Sequence, residues 1–432
     1  MRCALALVAA VVTTIVVSAQ NNRIDTISPS APELAAFGPY AIGVGTLEVT
    51  DKNRADILNT KEGGPVARSD RTLTLEVWYP AVLGNGQKPG EDYHVVTRDP
   101  TVTATLHGRA MRDANQAKGP FPLVIISHGY PGNRFLMSHM GENLASKGYV
   151  VVSIDHADST YSDQKAFGST LYNRPFDQLF VLNEMDRLSR PGHLFAGLVD
   201  ASRTAIIGYS MGGYGVVNVI GGGYSAASAT FQNAPPNKLL AERGAANATY
   251  QQSRDPRIKA AIAIGPWGMQ NGYWDAEGLK GIRTPVMFVA GSGDEVSGYD
   301  KGTRALYQGA VNADRYLLTF INAGHNAAAP YPAPRESYAF SEGLKLFPFT
   351  HYADPVWDTV RMNNIFQHFA TAYFDVHLKG DADKQAYLDV VPHGKDAVFA
   401  VDGEGKPTAA HTYWKGFKRG TAVGLILEHA KP

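Results

Sequence analysis

The chain has 432 residues, of which 44% are hydrophobic and 19% are charged, a composition typical of a globular protein with one large domain or two small ones. Basic and acidic residues number 40 each, so the formal net charge is zero. A neutral chain without blocks of like charge has no general attraction for nucleic acid or an anionic membrane, and neither partner is expected.

Residues 1–19 have the pattern of a secretory signal peptide. Arg2 provides the positive charge, and residues 4–17 are apolar or small apart from two threonines. This stretch is shorter than the roughly 20 apolar residues of a membrane span. The small residues that end at Ala19 suit signal peptidase, so we expect cleavage near Ala19 and a secreted or periplasmic protein without a membrane span.

The sequence offers no cofactor or metal motif. Its single cysteine, Cys3, lies in the signal segment, so a cysteine nucleophile, a disulfide and a cysteine metal site are not expected in the mature chain. H-E-x-x-H, P-loop and G-x-G-x-x-G patterns are absent from the sequence. We interpret His351, His368 and His377 as ordinary helix and loop histidines, and expect neither a cofactor nor a metal. Asn247 begins a glycosylation triplet, a pattern that also arises by chance.

Hydrophobic patterns, taken in chain order, predict an α/β fold with a mostly parallel sheet and helices on both faces. Residues 20–35 are polar and predict an extended leader to a single catalytic domain, 36–432. Residues 72–79 alternate in polarity, which predicts an antiparallel strand at the start of the sheet. Continuous apolar runs follow, typical of parallel strands covered on both faces. These runs are 123–126, 150–152, 205–207, 260–264 and 286–289.

Two later segments have different patterns. Residues 221–255 are rich in glycine, alanine, serine and asparagine and predict an insertion after a helix. This insertion is either a lid or a surface loop with one short helix. Further along, Asp354 and Pro355 predict the N-cap and first residue of a long amphipathic helix that ends at Gly380.

Residues 208–212, Gly-Tyr-Ser-Met-Gly, match the G-x-S-x-G pattern of a nucleophile elbow. The pattern alone is weak, but its context is specific: a predicted strand, 204–207, precedes it and a predicted helix, 214–220, follows. The glycines leave out the Cβ atoms that so tight a turn cannot hold. We therefore predict Ser210 as a nucleophile; the alternative is a glycine-rich turn without chemistry.

A serine nucleophile needs a base and a group that orients the base, and in such folds they follow in the order serine, acid, histidine. Asp294 follows the strand that ends near residue 290, and Glu295 and Asp300 are nearby rivals for the acid. His325 follows the next predicted strand, 316–321. The order predicts Asp294 as the acid and His325 as the base.

An oxyanion intermediate needs two backbone N–H donors. Met211, directly after the predicted nucleophile, supplies one. The other is expected from Tyr130 in the loop 128–132, which follows an earlier strand. We interpret His128 as a structural residue of that loop rather than as a second base.

With these residues in place, the chain resembles the platelet-activating factor acetylhydrolase-like and dienelactone hydrolase-like branch of the α/β hydrolases. The resemblance begins near Tyr40 and includes 75–80, 127–129, 174–179, the Ser210 elbow, 255–260 and 377–381. It implies the same triad and oxyanion residues, and it places Trp267 of the segment 265–268 beside the pocket; Tyr209 is the second expected substrate-binding residue. Dienelactone hydrolases use a cysteine, so their activity is not expected here, and the segments 221–255 and 328–335 would reshape the pocket rim.

These residues predict a secreted serine carboxylic ester hydrolase that forms an acyl-enzyme with a small or lipid-like ester. A cutinase-like polyester depolymerase would use the same chemistry on a polymer, in an open cleft flanked by exposed Trp267 and Trp274. A serine peptidase or amidase would share the triad. A non-enzymatic binding protein would normally lack part of it. The sequence does not predict an oligomeric state.

Overall fold

The computed structural model describes residues 22–432. The predicted signal segment, 1–19, and its cleavage site lie outside the described residues. Within residues 22–432, no helix is both long and apolar enough to cross a membrane.

The described chain forms an 11-stranded sheet and a separate two-stranded hairpin. The strands are β1 (Ala41–Ala55), β2 (Arg68–Val82), β3 (Asp92–Val96), β4 (Thr103–His107), β5 (Met111–Arg112), β6 (Asn115–Gln116), β7 (Phe121–Ser127), β8 (Val150–Asp155), β9 (Val199–Tyr209), β10 (Ile258–Ile264), β11 (Val286–Gly291), β12 (Arg315–Phe320) and β13 (Leu425–Ala430). The α-helices are α1 (Ser138–Ala145), α2 (Phe167–Leu188), α3 (Met211–Val219), α4 (Ala248–Gln252), α5 (Ala276–Leu279), α6 (Arg304–Gly309) and α7 (Thr359–Lys379).

The large sheet has the order β13-β12-β11-β10-β9-β7-β8-β2-β1-β5, and β6 pairs with β2. The six strands from β8 to β12 in this order are parallel to one another. Each contains one of the predicted apolar runs or the predicted strand at 316–321. The prediction of a mostly parallel sheet is confirmed.

The predicted alternating strand, 72–79, lies inside β2 and is antiparallel as expected, but it is not the first strand of the sheet. β1 precedes it, and β2 pairs with both β1 and β8. The sequence did not predict β1, because residues 49–55 in its second half are mostly solvent-exposed or half-buried and show little alternation of polarity.

Successive residues of the central strands pack into two different hydrophobic cores. On β7, Val124 and Ile126 belong to one core, whereas Leu123 and Ile125 belong to the other. The first core includes α1 and α7, and the second includes residues of α2 and α3. Helices therefore cover both faces, which explains why the parallel strands are continuously apolar.

The long predicted helix is α7, but it begins later than predicted. Its N-cap is Asp358, whose carboxylate accepts the N–H of Arg361 at 2.8 Å, and Gly380 ends it in the left-handed conformation, as predicted. Asp354 instead accepts the N–H groups of the turn that precedes the helix. The two aspartates have the same capping chemistry, so the local sequence favoured the wrong one.

The segment 221–255 is anchored to helix α3. The ring of Tyr224 stacks on that of Tyr214 with centroids 5.2 Å apart, and the hydroxyl of Tyr250 donates to the carbonyl of Asn218 at 2.5 Å. The segment contains α4 and two short 3-10 turns. Part of the leader is also attached, since the N–H of Ile24 donates to the carbonyl of His107 at 3.0 Å.

Candidate active site

Ser210 lies at the sharp turn between β9 and α3. Its φ of 52° and ψ of −112° are unusual for a residue with a side chain. Three backbone hydrogen bonds hold this conformation: its N–H donates to Ile264, and its carbonyl accepts from Tyr214 and Trp267. The surrounding backbone therefore maintains a strained residue, as is common at functional sites.

The two glycines of the elbow are required by close backbone approach. A Cβ at position 208 would collide with the backbone of Gly212, and a Cβ at position 212 would collide with the carbonyl of Ser127 on β7. The turn can therefore close only if position 208 lacks a side chain, and it can pack against the end of β7 only if position 212 lacks one. This confirms the steric reason for the pattern.

Ser210, Asp294 and His325 converge at the carboxyl ends of parallel strands. The Oγ of Ser210 lies 3.0 Å from Nε2 of His325, and Nδ1 of His325 lies 3.0 Å from both carboxylate oxygens of Asp294. Ser210 is 7% exposed. The structure thus brings the three predicted residues together in one hydrogen-bonded chain.

Asp294 is the acidic residue that contacts the histidine. Burial raises the pKa of this carboxyl, but hydrogen bonds from His325 and from the N–H groups of Val296 and Ser297 outweigh burial and keep the pKa below its usual value. The rivals Glu295 and Asp300 are exposed, and neither has a recorded bond to His325 among residues 22–432. An ionised Asp294 can accept a hydrogen bond from the Nδ1–H group of His325, which leaves the unprotonated Nε2 facing the serine.

Two polar side chains fix the loop that holds His325, and sequence reasoning missed both. Asp354 accepts the N–H of Gly324 at 2.6 Å. Asn326 donates to the carbonyls of Thr350 and Ala353 and accepts the hydroxyl of Tyr209 at 2.9 Å. These contacts join distant segments, so no local motif could have revealed them.

The predicted oxyanion donors have free N–H groups. Within residues 22–432, no acceptor is recorded for the backbone N–H of Met211, the first residue of α3, or of Tyr130. The loop before Tyr130 passes against the nucleophile, since a Cβ at Gly129 would lie 3.3 Å from the Cβ of Ser210. Met211 directly follows Ser210 and Tyr130 lines the cavity at the serine, so these two residues stay the predicted oxyanion donors.

A second serine, histidine and aspartate chain lies under the loop 128–132. The Oγ of Ser127 is 2.8 Å from Nε2 of His156, and Nδ1 of His156 is 2.9 Å from Asp177. Arg71 donates to both carboxylate oxygens of Asp177. All three residues of this buried relay are at most 1% exposed, so no substrate can reach Ser127.

Arg174 fixes the same loop from beside the buried relay. Its guanidinium donates to the carbonyl of His128 at 2.5 Å and to the hydroxyl of Ser159 at 2.7 Å. Burial lowers the pKa of Arg174 to about 9. His128 is itself buried with its pKa well below the usual value, chiefly through burial, and Nδ1 lies 2.7 Å from the carbonyl of Gly129. His128 therefore belongs to the loop's support.

A cavity of about 250 Å³ opens at Ser210. Its wall includes Arg98, Tyr130, Tyr209, Glu295 and His351. Tyr209 thus lies where the sequence predicted a substrate contact. No residue of 221–255 lines this cavity. The two alternatives for this segment, a lid and a surface loop with one short helix, both stay predictions.

Trp267 does not line the cavity. Its ring packs against those of Phe167 and Tyr273, at 5.3 and 5.2 Å between centroids, and only its backbone N–H contacts Ser210. Trp274 is 2% exposed and donates its indole N–H to Gly222. The contact of Trp267 with substrate stays a prediction, and because Trp274 is buried, the cavity is not flanked by two exposed tryptophans. The family resemblance placed Trp267 beside the pocket but could not orient its ring, and Trp274 was expected only by the polyester depolymerase alternative.

His351, His368 and His377 have different surroundings and do not form one metal site within residues 22–432. His351 lies in the cavity wall, 2.8 Å from the Tyr161 hydroxyl, whereas Nδ1 of His368 accepts the N–H of Leu34 and His377 lies near the end of α7. Among residues 22–432, no group of three or more His, Cys, Asp or Glu side chains is placed to hold a metal ion.

A mostly parallel sheet, helices on both faces and a serine at a strained strand-to-helix turn define the α/β-hydrolase fold, and this chain has that fold. A ferulic acid esterase from Streptomyces cinnamoneus has a similar structure, with a TM-score of 0.55 and 20% identity over 93% of this chain and 100% of that chain. The family described as PET hydrolase-like matches residues 93–237.

Curated relatives are similar over part of their length. Cutinase est1 of Thermobifida alba is 25% identical over 205 residues, which are 47% of this chain and 53% of the cutinase. A bis(hydroxyethyl) terephthalate hydrolase of Streptomyces coelicolor is 24% identical over 225 residues, 52% of this chain and 56% of that enzyme. The chain thus spans about half the length of the curated relatives it matches.

Proposed function

We propose that this chain is a secreted serine hydrolase of carboxylic esters. The observation that carries the proposal is the hydrogen-bonded chain from Ser210 through His325 to Asp294, open to a cavity at the serine. The similarity to cutinases, a terephthalate ester hydrolase and a ferulic acid esterase supports an ester as the substrate.

In the proposed mechanism, Nε2 of His325 takes the proton of Ser210 as the hydroxyl attacks the ester carbonyl. Asp294 holds the imidazole orientation and stabilises its positive charge. The negatively charged oxygen of the tetrahedral intermediate accepts hydrogen bonds from the backbone N–H groups of Met211 and Tyr130. The histidine then protonates the departing alcohol, and a water molecule activated by the same histidine releases the acid from Ser210.

Replacing the nucleophile tests this mechanism. Ser210→Ala should abolish hydrolysis of 4-nitrophenyl butyrate and labelling by a fluorophosphonate probe, because the alanine cannot form an acyl- or phosphonyl-enzyme. Circular dichroism should show an intact fold.

Ser127→Ala is the matched control, since it removes the serine of the buried relay. This variant should still be labelled by the probe. Wild-type turnover by the Ser210→Ala protein would overturn the assignment.

A polyester depolymerase is the second candidate, favoured by the similarity to cutinases and to the bis(hydroxyethyl) terephthalate hydrolase. The positions of Trp267 and Trp274 do not support it. Product release from an amorphous polyester film, compared with turnover of soluble esters, separates the two.

A 4-nitroanilide substrate tests the peptidase or amidase alternative: turnover of the anilide but not of the ester would favour it.

The proposal also includes export of the protein and its assignment to the acetylhydrolase-like branch of the α/β hydrolases. N-terminal sequencing of the protein from culture medium or periplasm should find a mature chain that begins near residue 20. Hydrolysis of an sn-2 acetyl phospholipid would support the acetylhydrolase-like branch, and its absence with good turnover of simple esters would count against that branch.

A further inference from the structure

Arg98 places a cation in the wall of the cavity at Ser210. Its backbone is fixed, because its N–H donates to the hydroxyl of Tyr352 at 2.8 Å. Its guanidinium has no recorded hydrogen bond or salt bridge within residues 22–432, and its Nη1 atom is buried without an acceptor. By contrast, Arg71 and Arg134 each contact two carboxylates.

Among residues 22–432, no carboxylate forms an ion pair with Arg98, although its charge adds to the hydrogen bonds from Ser341 and Thr101 in lowering the pKa of Asp99. His351, in the same wall, has its pKa lowered to about 3 by burial and by the charge of Arg98, so it is uncharged at neutral pH. The carboxylate of Asp99, the next residue, accepts the hydroxyls of Thr101 and Ser341. Glu295, the other charged residue in the wall, is exposed and makes no recorded ion pair with Arg98 among the residues described.

A guanidinium in this setting favours a particular kind of ligand. Its planar fork matches the two oxygens of a carboxylate, and such charge-assisted bonds are stronger than neutral ones. Burying part of a cation without a hydrogen-bond acceptor costs free energy, so a ligand that supplies an acceptor binds more tightly. The cavity volume of about 250 Å³ suits a small acid rather than a long chain.

We infer that Arg98 binds a carboxylate of the substrate, and that the preferred substrates are short esters that carry a free carboxylate, such as half-esters of dicarboxylic acids. This inference rests on the proposed ester hydrolase function. It separates this site from one built for a neutral polyester, because a neutral chain would leave the guanidinium without a counter-charge.

Matched substrate pairs test the preference. Monoethyl succinate, glutarate and adipate are compared with ethyl butyrate, valerate and hexanoate, with ethanol release as the assay. 4-Acetoxybenzoate against phenyl acetate tests a carboxylate on the alcohol side. The wild-type protein should have a higher kcat/KM for the anionic member of at least one pair. No preference in any pair would overturn the inference.

The variant Arg98→Gln should lower kcat/KM for the preferred anionic esters roughly 10- to 100-fold, mainly through KM, and change the neutral esters less than about threefold. Arg98→Lys should restore part of the loss, since it keeps the charge but not the fork. Arg190 is an exposed arginine just beyond the end of α2 and forms an ion pair with Asp186. Arg190→Gln should leave kcat/KM unchanged for both the anionic and the neutral esters. Equal losses for anionic and neutral esters in Arg98→Gln would indicate a structural role and contradict the inference.

A binding measurement covers the case in which Arg98→Gln does not fold. Free glutarate or adipate should inhibit neutral-ester hydrolysis by the wild-type protein competitively, and absence of inhibition would count against the subsite. The two levels of the proposal fail separately. Turnover that survives Ser210→Ala would overturn the ester hydrolase function, whereas Ser210-dependent turnover without an anionic preference would overturn only the role of Arg98.

Discussion

Individual residues at the catalytic elbow differ in how far the sequence reveals them. Ser210 was predictable because the turn excludes side chains at Gly208 and Gly212, and that exclusion leaves a visible pattern. The roles of Asp354 and Asn326 were not, because Asp354 contacts Gly324 from a distant segment, and Asn326, which follows His325, bonds to Thr350 and Ala353, which only the folded chain brings close. A local motif records steric demands within a few residues, and it carries no information about contacts between distant segments.

Asp294 provides a test at this scale. Asp294→Asn should lower kcat for 4-nitrophenyl butyrate roughly 10³- to 10⁴-fold, because an amide can donate to Nδ1 and so favour the tautomer whose Nε2 carries the proton. The fold should survive, since the side chains are nearly isosteric.

Asp300→Asn is the control for this substitution. Asp300 is an exposed carboxylate of the same loop region, and its replacement should leave kcat near the wild-type value. A comparable loss in both variants would show that the loop's charge, rather than the contact with His325, determines the rate.

At the scale of elements, the parallel strands were predictable and the short helices were not. Because both faces of each central strand are buried, its residues form a continuous apolar run that can be recognised in the sequence. The turns within 221–255 are too short to show a period, and they are held by contacts with distant residues, such as that of Tyr250 with Asn218. Their position on α3 therefore became clear only from the structure.

Asp354 and Asp358 allow the start of α7 to be tested. Asp358→Ala should lower the free energy of unfolding by about 1 kcal/mol through loss of the N-cap, with little effect on kcat. Asp354→Ala should lower kcat at least about 10-fold, because the N–H of Gly324 loses its acceptor and His325 is less well positioned. Urea unfolding and ester hydrolysis measure the two effects. The reverse pattern would show that the helix begins at Asp354.

Across the whole molecule, buried histidines make stability depend on pH. Burial lowers the pKa of four of them to about 3: His139, His156, His351 and His368. The unfolded chain binds protons near pH 6.5, whereas the folded chain does not until about pH 3. Stability from these groups is therefore full above pH 6.5 and is lost as the pH falls, by up to about 1.4 kcal/mol per pH unit for each histidine.

The melting temperature should thus fall steadily between pH 7 and pH 5, as followed by circular dichroism. His139→Leu should make this decrease shallower, because both ring nitrogens of His139 are buried without a recorded partner in residues 22–432 and leucine has no proton to bind. A melting temperature that stays constant over this range would contradict the prediction.

The buried relay has a consequence for how active sites are defined. A definition based only on the serine–histidine and histidine–aspartate distances selects two sets of residues within 22–432, one ending at Ser210 and the other at Ser127. They differ in whether a carbonyl carbon and a water molecule can arrive at the hydroxyl. In this molecule, chemistry is therefore determined by what the chain leaves uncovered as much as by which atoms it brings together.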